Sequence, residues 1–368
     1  MLKLCCPCHF GLESVLKYEI NKIGGTDINV SDGKITFTGD MNTLARANIC
    51  LSTAERVFIQ LAEFKALTFE ELFQGVKAIE LERFIGKNDA FPVKGYSLNS
   101  ALHSVPDCQS IVKKAAVERL KSKYGISWFD ENASTVQIKF SILKDMVTIY
   151  LDTSGAGLHK RGYRKNSNAA PIKETLAAGI VDLARIRPDT VVCDPFCGSG
   201  TIIIEAALKA LKIPVGIRRK FAAESWSCAD PKIWHEEREK AFENIDKTAK
   251  FHAIAADIDD AAVALTLDNV KKAGVQSRID IRQADISKFR QPENSKVICN
   301  PPYGERLLEL REAENIYRIM GKVFGKGGDM QSFVISPHEQ FEQFFGTEAR
   351  KCRKLYNGMI KCRLYMYF

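Results

Sequence analysis

The sequence predicts an α/β protein. Its C-terminal half is a Rossmann-like, mostly parallel sheet, and its N-terminal half is a mixed α+β region. The apolar stretch Val191–Cys193 leads through a glycine-rich turn into a helical run over 202–211, which indicates a strand, a loop and a helix. A second apolar stretch, Val297–Cys299, ends in an Asn-Pro-Pro-Tyr loop over 300–303. Ligands of doubly wound sheets bind where such strands end, so both loops are predicted to form one site.

The glycine-rich turn over 194–201 has the composition of a ligand-binding loop. Gly198 and Gly200 carry no side chain, so a ligand can approach the backbone closely. The turn lacks the Gly-Lys-Ser/Thr of a phosphate loop and the full Gly-x-Gly-x-x-Gly dinucleotide motif. Two common nucleotide-binding motifs are therefore excluded.

Together, the two loops resemble those of class I S-adenosylmethionine (SAM)-dependent methyltransferases that modify exocyclic amino groups. The resemblance implies that the Asp-Pro-Phe-x-Gly-Ser-Gly loop lies under the methionine part of SAM and that the Asn-Pro-Pro-Tyr loop holds the target nitrogen. It also implies a seven-stranded sheet with a terminal antiparallel hairpin. Asn357-Gly358 between apolar runs is a strong signal for that hairpin.

Two acids follow the next strands of the C-terminal half. Asp257 ends the strand over 253–256 and suits a ribose, because a carboxylate accepts both hydroxyl hydrogens, whereas Asp259 or Asp260 can simply cap the next helix. Asp285 follows the strand over 279–282. The resemblance implies that Asp285 accepts the adenine amino group and that Ile286 lines the adenine ring. The alternative for Asp285 is a helix cap. The predicted cofactor residues are Asp194, Pro195, Cys197, Gly198, Ser199, Gly200, Thr201, Asp257, Ile258, Asp285, Ile286, Asn300, Lys173 and Glu174.

Composition sets broad limits on the function. The 368 residues are enough for two or three domains, and 45% hydrophobic with 27% charged residues is typical of soluble proteins. No apolar run has the length of a membrane span, no secretion signal is evident, and 11 scattered cysteines suit reduced thiols, so a cytoplasmic location is expected. The net charge of +8 suits a polyanionic partner but is also compatible with plain solubility. Cys5 and Cys8 have zinc-knuckle spacing, yet no second pair follows, and no metal is predicted.

The N-terminal half is predicted to contain two units. Residues 1–64 alternate strand and helix signals in a ferredoxin-like pattern, with a helix over 12–23 and a strand over 34–38. Residues 65–153 are similar to a THUMP domain, an RNA-binding module. Their basic helix over 109–124 carries the candidate RNA contacts Lys113 and Lys114, although such a helix is often only a solvated face.

Residues 154–170 have the composition of a linker but contain a basic cluster around a tyrosine, which suits phosphate contacts and base stacking. The candidate RNA contacts in it are Lys160, Arg161, Tyr163, Arg164 and Lys165. With the helix that begins near Pro171, this segment resembles bacterial rRNA guanine-N2 methyltransferases of the THUMP-containing family, where that helix closes one side of the cofactor pocket. Residues 171–368 are the predicted methyltransferase domain, and 212–235 is predicted to be a surface insertion without an assigned role.

The resemblance implies methyl transfer from SAM to guanine N2, with 23S rRNA as the expected substrate. Asn300 and Pro301 have carbonyl groups suited to accept the two amine hydrogens, and Tyr303 is predicted to stack on the base. Three alternatives stay open: a tRNA guanine-N2 methyltransferase, a DNA amino-methyltransferase, against which the N-terminal half argues, and a non-catalytic RNA-binding assembly protein. A fragment lacking residues 1–150 is expected to bind the cofactor still.

Overall fold

The structure of the protein, a computed structural model, describes residues 1–164, 172–304, 307–325 and 330–368. The described residues form two seven-stranded sheets with helices packed against them.

The N-terminal half contains seven strands and four helices. In chain order they are β1 (Leu2–Pro7), α1 (Glu13–Lys22), β2 (Thr26–Ser31), β3 (Lys34–Gly39), α2 (Met41–Cys50), β4 (Phe58–Lys65), α3 (Phe69–Lys77), β5 (Val93–Leu98), α4 (Val105–Tyr124), β6 (Ile138–Leu143) and β7 (Met146–Asp152). The sheet order is β2-β3-β1-β4-β7-β6-β5.

The two predicted N-terminal units share this one sheet. Strand β4 pairs with β1 on one side and with β7 on the other, so the ladder is continuous across both units. The predicted boundary between residues 64 and 65 lies inside β4. Strand β2 was not predicted, because the exposed edge sequence Thr-Asp-Ile-Asn-Val-Ser has no clear apolar alternation.

The helices cover one face of this sheet. Leu4, Ile35 and Ile149 point to that face and join the large N-terminal core, which also contains residues of all four helices. The opposite face has a separate small cluster of Cys5, Phe58 and Tyr150. The N-terminal sheet is therefore covered by helices on one side only.

The C-terminal half contains the second sheet. Its elements are α5 (Glu174–Leu183), β8 (Val191–Asp194), α6 (Thr201–Ala210), α7 (Pro231–Glu243), β9 (His252–Asp257), α8 (Asp260–Ala273), β10 (Ile279–Gln283), β11 (Ser295–Cys299), α9 (Leu307–Val323), β12 (Gln331–Ser336), α10 (Phe341–Phe345), β13 (Lys351–Asn357) and β14 (Ile360–Tyr367). The order is β10-β9-β8-β11-β12-β14-β13, parallel except for β14, which pairs antiparallel with both β12 and β13. The predicted fold class is confirmed.

The terminal hairpin is also confirmed, with its turn displaced by one residue. Asn357 pairs with Ile360, so the two loop residues are Gly358 and Met359 rather than Asn-Gly. Gly358 has a φ of +62°, which glycine adopts without steric cost.

The insertion over 212–235 is not a surface segment, and this prediction was wrong. Phe221, Trp226 and Trp234 are buried in the core of the N-terminal half. The Trp226 indole donates to the Thr135 carbonyl (3.2 Å), and the Gly216 N–H donates to the Ile49 carbonyl (2.9 Å). The insertion therefore fastens the C-terminal half to the N-terminal half.

Arg46 and Glu237 connect the same two halves. The Arg46 guanidinium contacts the buried Glu237 carboxylate with an Nε–Oε2 distance of 2.6 Å, from α2 to α7. Bonds to Arg46 and Lys240 outweigh the burial that would raise the pKa of Glu237, so that pKa is lowered.

Within the part of the chain that the structure describes, no helix is both long and apolar enough to cross a membrane. No group of three or more His, Cys, Asp or Glu side chains there could hold a metal ion. Cys5 and Cys8, which have zinc-knuckle spacing, pack into different hydrophobic clusters.

Candidate active site

The glycine-rich loop after β8 is held by hydrogen bonds from α8. Thr266 Oγ1 donates to the Gly198 carbonyl (2.9 Å), and Asn269 Nδ2 donates to the Ser199 carbonyl (2.8 Å). Gly200 precedes α6 with a φ of +78°, and a Cβ there would lie 2.9 Å from Thr266 Cγ2. Gly200 is therefore required by both its backbone angle and the close approach of α8.

Two carboxylates lie beneath and beside this loop. Asp194 is buried, and burial raises its pKa to about 8; the Phe196 N–H, which donates to it (3.1 Å), lowers the pKa, and the Asp257 charge raises it. Asp257 accepts the Gly198 N–H at Oδ2 (2.9 Å) and the Asp259 N–H at Oδ1 (3.1 Å). Asp257 thus ties the end of β9 to the glycine-rich loop, and each oxygen retains a lone pair for a further donor.

A cavity of about 140 Å³ lies next to these residues, at the ends of β9 and β10. Its lining combines apolar residues with one carboxylate and two cationic side chains: Pro195, Ala256, Arg282, Ala284, Asp285, Ile286, Lys288 and Phe289. Asp285 Oδ1 accepts the Ser287 N–H (2.7 Å), so the carboxylate caps a short 3₁₀ helix over 286–288 as well as lining the cavity. Ile258 follows Asp257 and is 65% exposed.

The Asn-Pro-Pro-Tyr loop lies at the end of β11, which is the neighbour of β8 in the sheet. The Tyr303 hydroxyl donates to Asn300 Oδ1, and the Tyr317 hydroxyl donates to the Pro302 carbonyl (3.0 Å). Tyr303 is half-buried against the catalytic core, and burial raises the pKa of its phenol well above the ordinary value. The structure therefore places Asn300 and the glycine-rich loop at adjacent parallel strand ends, where the strand order switches from one side of β8 to the other.

The linker residues Arg161 and Tyr163 do not face a possible RNA ligand. Arg161 is 6% exposed and Tyr163 is 4% exposed. The Arg161 guanidinium pairs with the buried Glu205 carboxylate (Nε–Oε1 3.3 Å), and the Tyr163 hydroxyl donates to the same Oε1 (3.0 Å). The prediction that these two contact RNA was wrong. Inside the protein, Arg161 neutralises the charge of Glu205, and Tyr163 donates a hydrogen bond to it.

Arg164 also points into the catalytic half. Its guanidinium donates to Thr201 Oγ1 (3.0 Å), to the Ile172 carbonyl (3.0 Å) and to Glu174 (2.9 Å). Glu174 is buried; burial raises its pKa, and Arg164 opposes that shift. Both side chains thus support the start of α6, directly after the glycine-rich loop, and the proposed RNA contact of Arg164 is replaced by this one.

The remaining predicted residues differ in their surroundings. Lys160 is exposed, and Lys165 lies outside the described residues. Lys173 Nζ is 3.4 Å from Glu55 Oε2, at the junction with the N-terminal half. On α4, Lys113 pairs with Glu131 (2.7 Å), whereas Lys114 is exposed.

Sequence reasoning missed Thr266 and Asn269, because their spacing on α8 is that of an ordinary amphipathic helix. It also missed the pairing of Arg161 with Glu205, for which a signal existed. Glu205 is the only acid in the run over 202–211, whose other residues are apolar except Lys209, so a buried partner was required.

Comparison with known proteins assigns a family to each part of the chain. The family described as "RMKL-like, methyltransferase domain" matches residues 161–366, "RlmL ferredoxin-like domain" matches 3–58, and "THUMP domain" matches 66–152. A "Putative RNA methyltransferase YpsC" of Bacillus subtilis (strain 168) is 42% identical over 99% of this chain and 95% of its own length. "Ribosomal RNA large subunit methyltransferase K/L" of Psychromonas ingrahamii is 30% identical over 100% of this chain, which spans 50% of that protein's length.

Solved structures that share the fold over the whole chain include two with a described activity. The structure titled "SMU.472, a putative methyltransferase complexed with SAH" has 37% identity and a TM-score of 0.95, covering 100% of this chain and 98% of its own. A "predicted N6-adenine-specific DNA methylase" from Listeria monocytogenes has 41% identity and a TM-score of 0.95, covering 100% and 96%. The chain therefore belongs to the RMKL-like methyltransferase domain family and is a SAM-dependent class I methyltransferase.

Proposed function

We propose that this protein transfers the methyl group of SAM to the N2 amino group of a guanine in large-subunit (23S) ribosomal RNA. The observation that carries the proposal is the position of Asn300 and Pro301 beside the glycine-rich loop, at neighbouring strand ends. This arrangement brings two amine acceptors to the place where a methyl donor held by that loop would present its methyl group.

The residues present fit the three parts of SAM. A Cβ on Gly198 would meet none of the described atoms within 4 Å, which leaves open space for the methionine part above the loop. The free lone pairs of Asp257 suit the ribose hydroxyls, and the cavity with apolar Pro195, Ile286 and Phe289 beside Asp285 suits adenine. Bound SAM supplies an electrophilic methyl group on a sulfonium.

The protein's own contribution is to orient a poor nucleophile. The lone pair of an exocyclic amine is delocalised into the ring, so acceptors for its two hydrogens turn that lone pair toward the methyl group as positive charge develops on nitrogen. Asn300 Oδ1 and the Pro301 carbonyl are the proposed acceptors. Asn300 Oδ1 already receives the Tyr303 hydroxyl and has a second lone pair for the amine. Tyr303 is the proposed stacking partner of the base, after its ring turns from the core.

The choice of RNA is supported by the THUMP match and by the names of the relatives, of which one acts on large-subunit ribosomal RNA. The choice of guanine N2 is supported by the resemblance of the linker and both loops to that class of enzyme. A paired guanine cannot enter the loop, so the target base is proposed to be unpaired or flipped.

The test is nucleoside mass spectrometry of large-subunit rRNA and of tRNA from cells with and without the gene. Loss of N2-methylguanosine from rRNA supports the proposal. Loss from tRNA alone, or loss of N6-methyladenosine instead, would overturn the proposed substrate. Transfer by purified protein to rRNA from the deletion cells, with tRNA and duplex DNA as controls, shows that the activity is direct.

The division of labour follows the proposed domains. Residues 1–64 and 65–153 would hold RNA, 154–170 would join them to the catalytic part, and 171–368 would bind SAM and select the base.

A further inference from the structure

The face of the N-terminal sheet that carries no helix is built differently from the helix-covered face. Strand alternation directs Lys3 and Cys5 to this open face and Leu4 to the helices. The cross-strand pairs Lys94–Lys139 and Phe58–Asp152 extend the same face across β5, β6, β7 and β4. The open face therefore spans both N-terminal units.

The open face is strongly basic. Within residues 1–153, all of which are described, the six cationic side chains on it are Lys3, Lys34, Arg56, Lys65, Lys94 and Lys139, and its carboxylates on β4 and β7 are Glu63 and Asp152. Asp152 is buried and already paired with Arg56 (2.6 Å) and Lys139 (4.0 Å). The positive charge of the other lysines is consequently left for an external anion.

The basic helix α4 is the alternative RNA surface, and part of its charge is paired within the protein. On the helix side, Lys113 pairs with Glu131 (2.7 Å), and Arg119 pairs with Glu82. For Lys3, Lys65 and Lys94, no carboxylate of the described residues lies within ion-pair distance. On α4, Lys114 and Lys121 are also exposed and have no carboxylate of the described residues within ion-pair distance, so both surfaces keep unpaired lysines. What separates the open face from α4 is therefore the accessible aromatic ring among its lysines, since base stacking adds to phosphate contacts.

Aromatic rings lie among these lysines. Phe58 and Tyr150 form the floor, with ring centroids 5.5 Å apart, and Lys139 Nζ lies 5.4 Å from the Phe58 centroid. Tyr96 is 52% exposed and stands next to Ser141, whose small side chain leaves room over the sheet. Lysines around an accessible ring are the combination that binds phosphates and stacks an unpaired base.

One end of the open face adjoins the catalytic half. Arg56 follows Glu55, whose carboxylate contacts Lys173 and Thr175 at the start of α5. Between Lys173 and Thr175, Glu174 pairs with Arg164, which also donates a hydrogen bond to Thr201, directly after the glycine-rich loop. A strand of RNA lying on the open face would therefore reach the catalytic half at this junction.

We propose that the open face of the N-terminal sheet is the docking surface for the RNA substrate, with lysines on its phosphates and Tyr96 stacked on one unpaired base. The proposal rests on the proposed function only in naming RNA as the substrate. Leu98, Leu143 and Met146 are exposed at the far end of the face, so a protein partner at that end is the competing occupant that the experiment separates.

The experiment compares two charge-matched variants of the full chain. K3A/K65A/K94A removes three exposed lysines from the open face, and K114A/K121A/K123A removes three exposed lysines from α4. Binding of a fluorescein-labelled single-stranded RNA of about 20 nucleotides is measured from about 50 to about 300 mM salt, because the slope counts the phosphate contacts. Melting temperatures and SAM affinities of both variants verify that the fold is intact.

The open-face variant is expected to bind RNA at least about tenfold more weakly. The slope of log affinity against log salt concentration should become shallower by about 2, because each of the three lost contacts to single-stranded RNA contributes about 0.7. The α4 variant is expected to bind like wild type. Tyr96→Ala is expected to weaken binding about tenfold, and Tyr96→Phe to restore it, because stacking needs only the ring.

Three results would overturn the proposal: wild-type affinity and slope in the open-face variant, an equal loss in the α4 variant, or RNA binding lost only when the apolar tip is changed by L98S/L143S. These binding results do not depend on which base is methylated. If guanine N2 is the wrong target, wild-type protein fails the nucleoside assay while the open-face variant still loses RNA binding.

Discussion

Asp257 has two roles in the proposed site: its carboxylate holds the glycine-rich loop, and it is the proposed acceptor for the ribose hydroxyls. Asp257→Ala is therefore the most direct test of the site. The change removes the acceptor for the N–H groups of Gly198 (2.9 Å) and Asp259 (3.1 Å) and the proposed acceptor for the ribose. A lost hydrogen bond to a charged group costs about 1.5–3 kcal/mol, so SAM affinity is expected to fall about 10- to 150-fold. Folded stability should fall as well, by less, since Asp257 is only half-buried.

The assay is calorimetric titration with SAM, with chemical denaturation of the same samples. Asp259→Ala is the matched control, because that adjacent carboxylate only caps α8 through the Ala261 N–H (3.0 Å). It should cost about 0.5–2 kcal/mol of stability and leave SAM affinity unchanged. If Asp257→Ala binds SAM as tightly as wild type, the ribose contact lies elsewhere and the assignment fails.

Further predictions concern the amine acceptor, the buried acid and the joint between the halves. Asn300→Ala should bind SAM normally but lower single-turnover methylation more than tenfold, since its acceptor acts mainly in the transition state; an unchanged rate would refute that role. Burial raises the pKa of Asp194 to about 8, so the stability that its proton contributes is present at low pH and is lost as the pH rises toward 8. Asp194→Asn, which stays neutral, should gain stability relative to wild type between about pH 4 and about pH 8, by up to about 1 kcal/mol per pH unit, and parallel curves would contradict this. Arg46→Ala should cost about 1–3 kcal/mol in denaturation by leaving the buried Glu237 with only Lys240 as a partner, whereas an unchanged midpoint would show that the pair is dispensable. A fragment of residues 151–368, which the sequence predicts to bind the cofactor, should show no cooperative melting, because the rings of its insertion lose their core; a sharp transition with SAM binding would contradict this.

The parts of the site that could be predicted from the sequence are those encoded by neighbouring residues. An apolar run followed by Asp194 and two glycines specifies a strand, a turn and an open backbone within a few positions. Asn300 was found in the same way, from the strand that precedes it. Both strand ends then come together because a parallel sheet brings its carboxyl ends to one edge.

What could not be predicted depends on residues far apart in the chain. Arg161 and Tyr163 have the composition of an RNA-binding linker. A lone acid in a largely apolar helix predicts a buried partner for Glu205, but not that the partners are Arg161 and Tyr163, more than 40 positions earlier. Trp226 in the insertion was assigned to the surface for the same reason, since its partner Thr135 lies 91 positions earlier and no local pattern marks the ring as buried.

The contacts between the N-terminal and C-terminal halves fix the distance from the proposed RNA-docking face to Asn300. The N-terminal Leu12 and Val15 belong to the catalytic core, while Trp226 of the catalytic half belongs to the N-terminal core. Each half thus completes the hydrophobic core of the other, and Arg161 fills the space between them on Glu205. Packed cores deform little. An RNA docked on the N-terminal half as proposed can therefore bring to Asn300 only a base that lies at one fixed distance along the RNA from the docked nucleotides. If RNA docks as proposed, the choice of nucleotide position depends on this rigid joint as much as on the pocket, and a guanine at any other distance would remain unmodified.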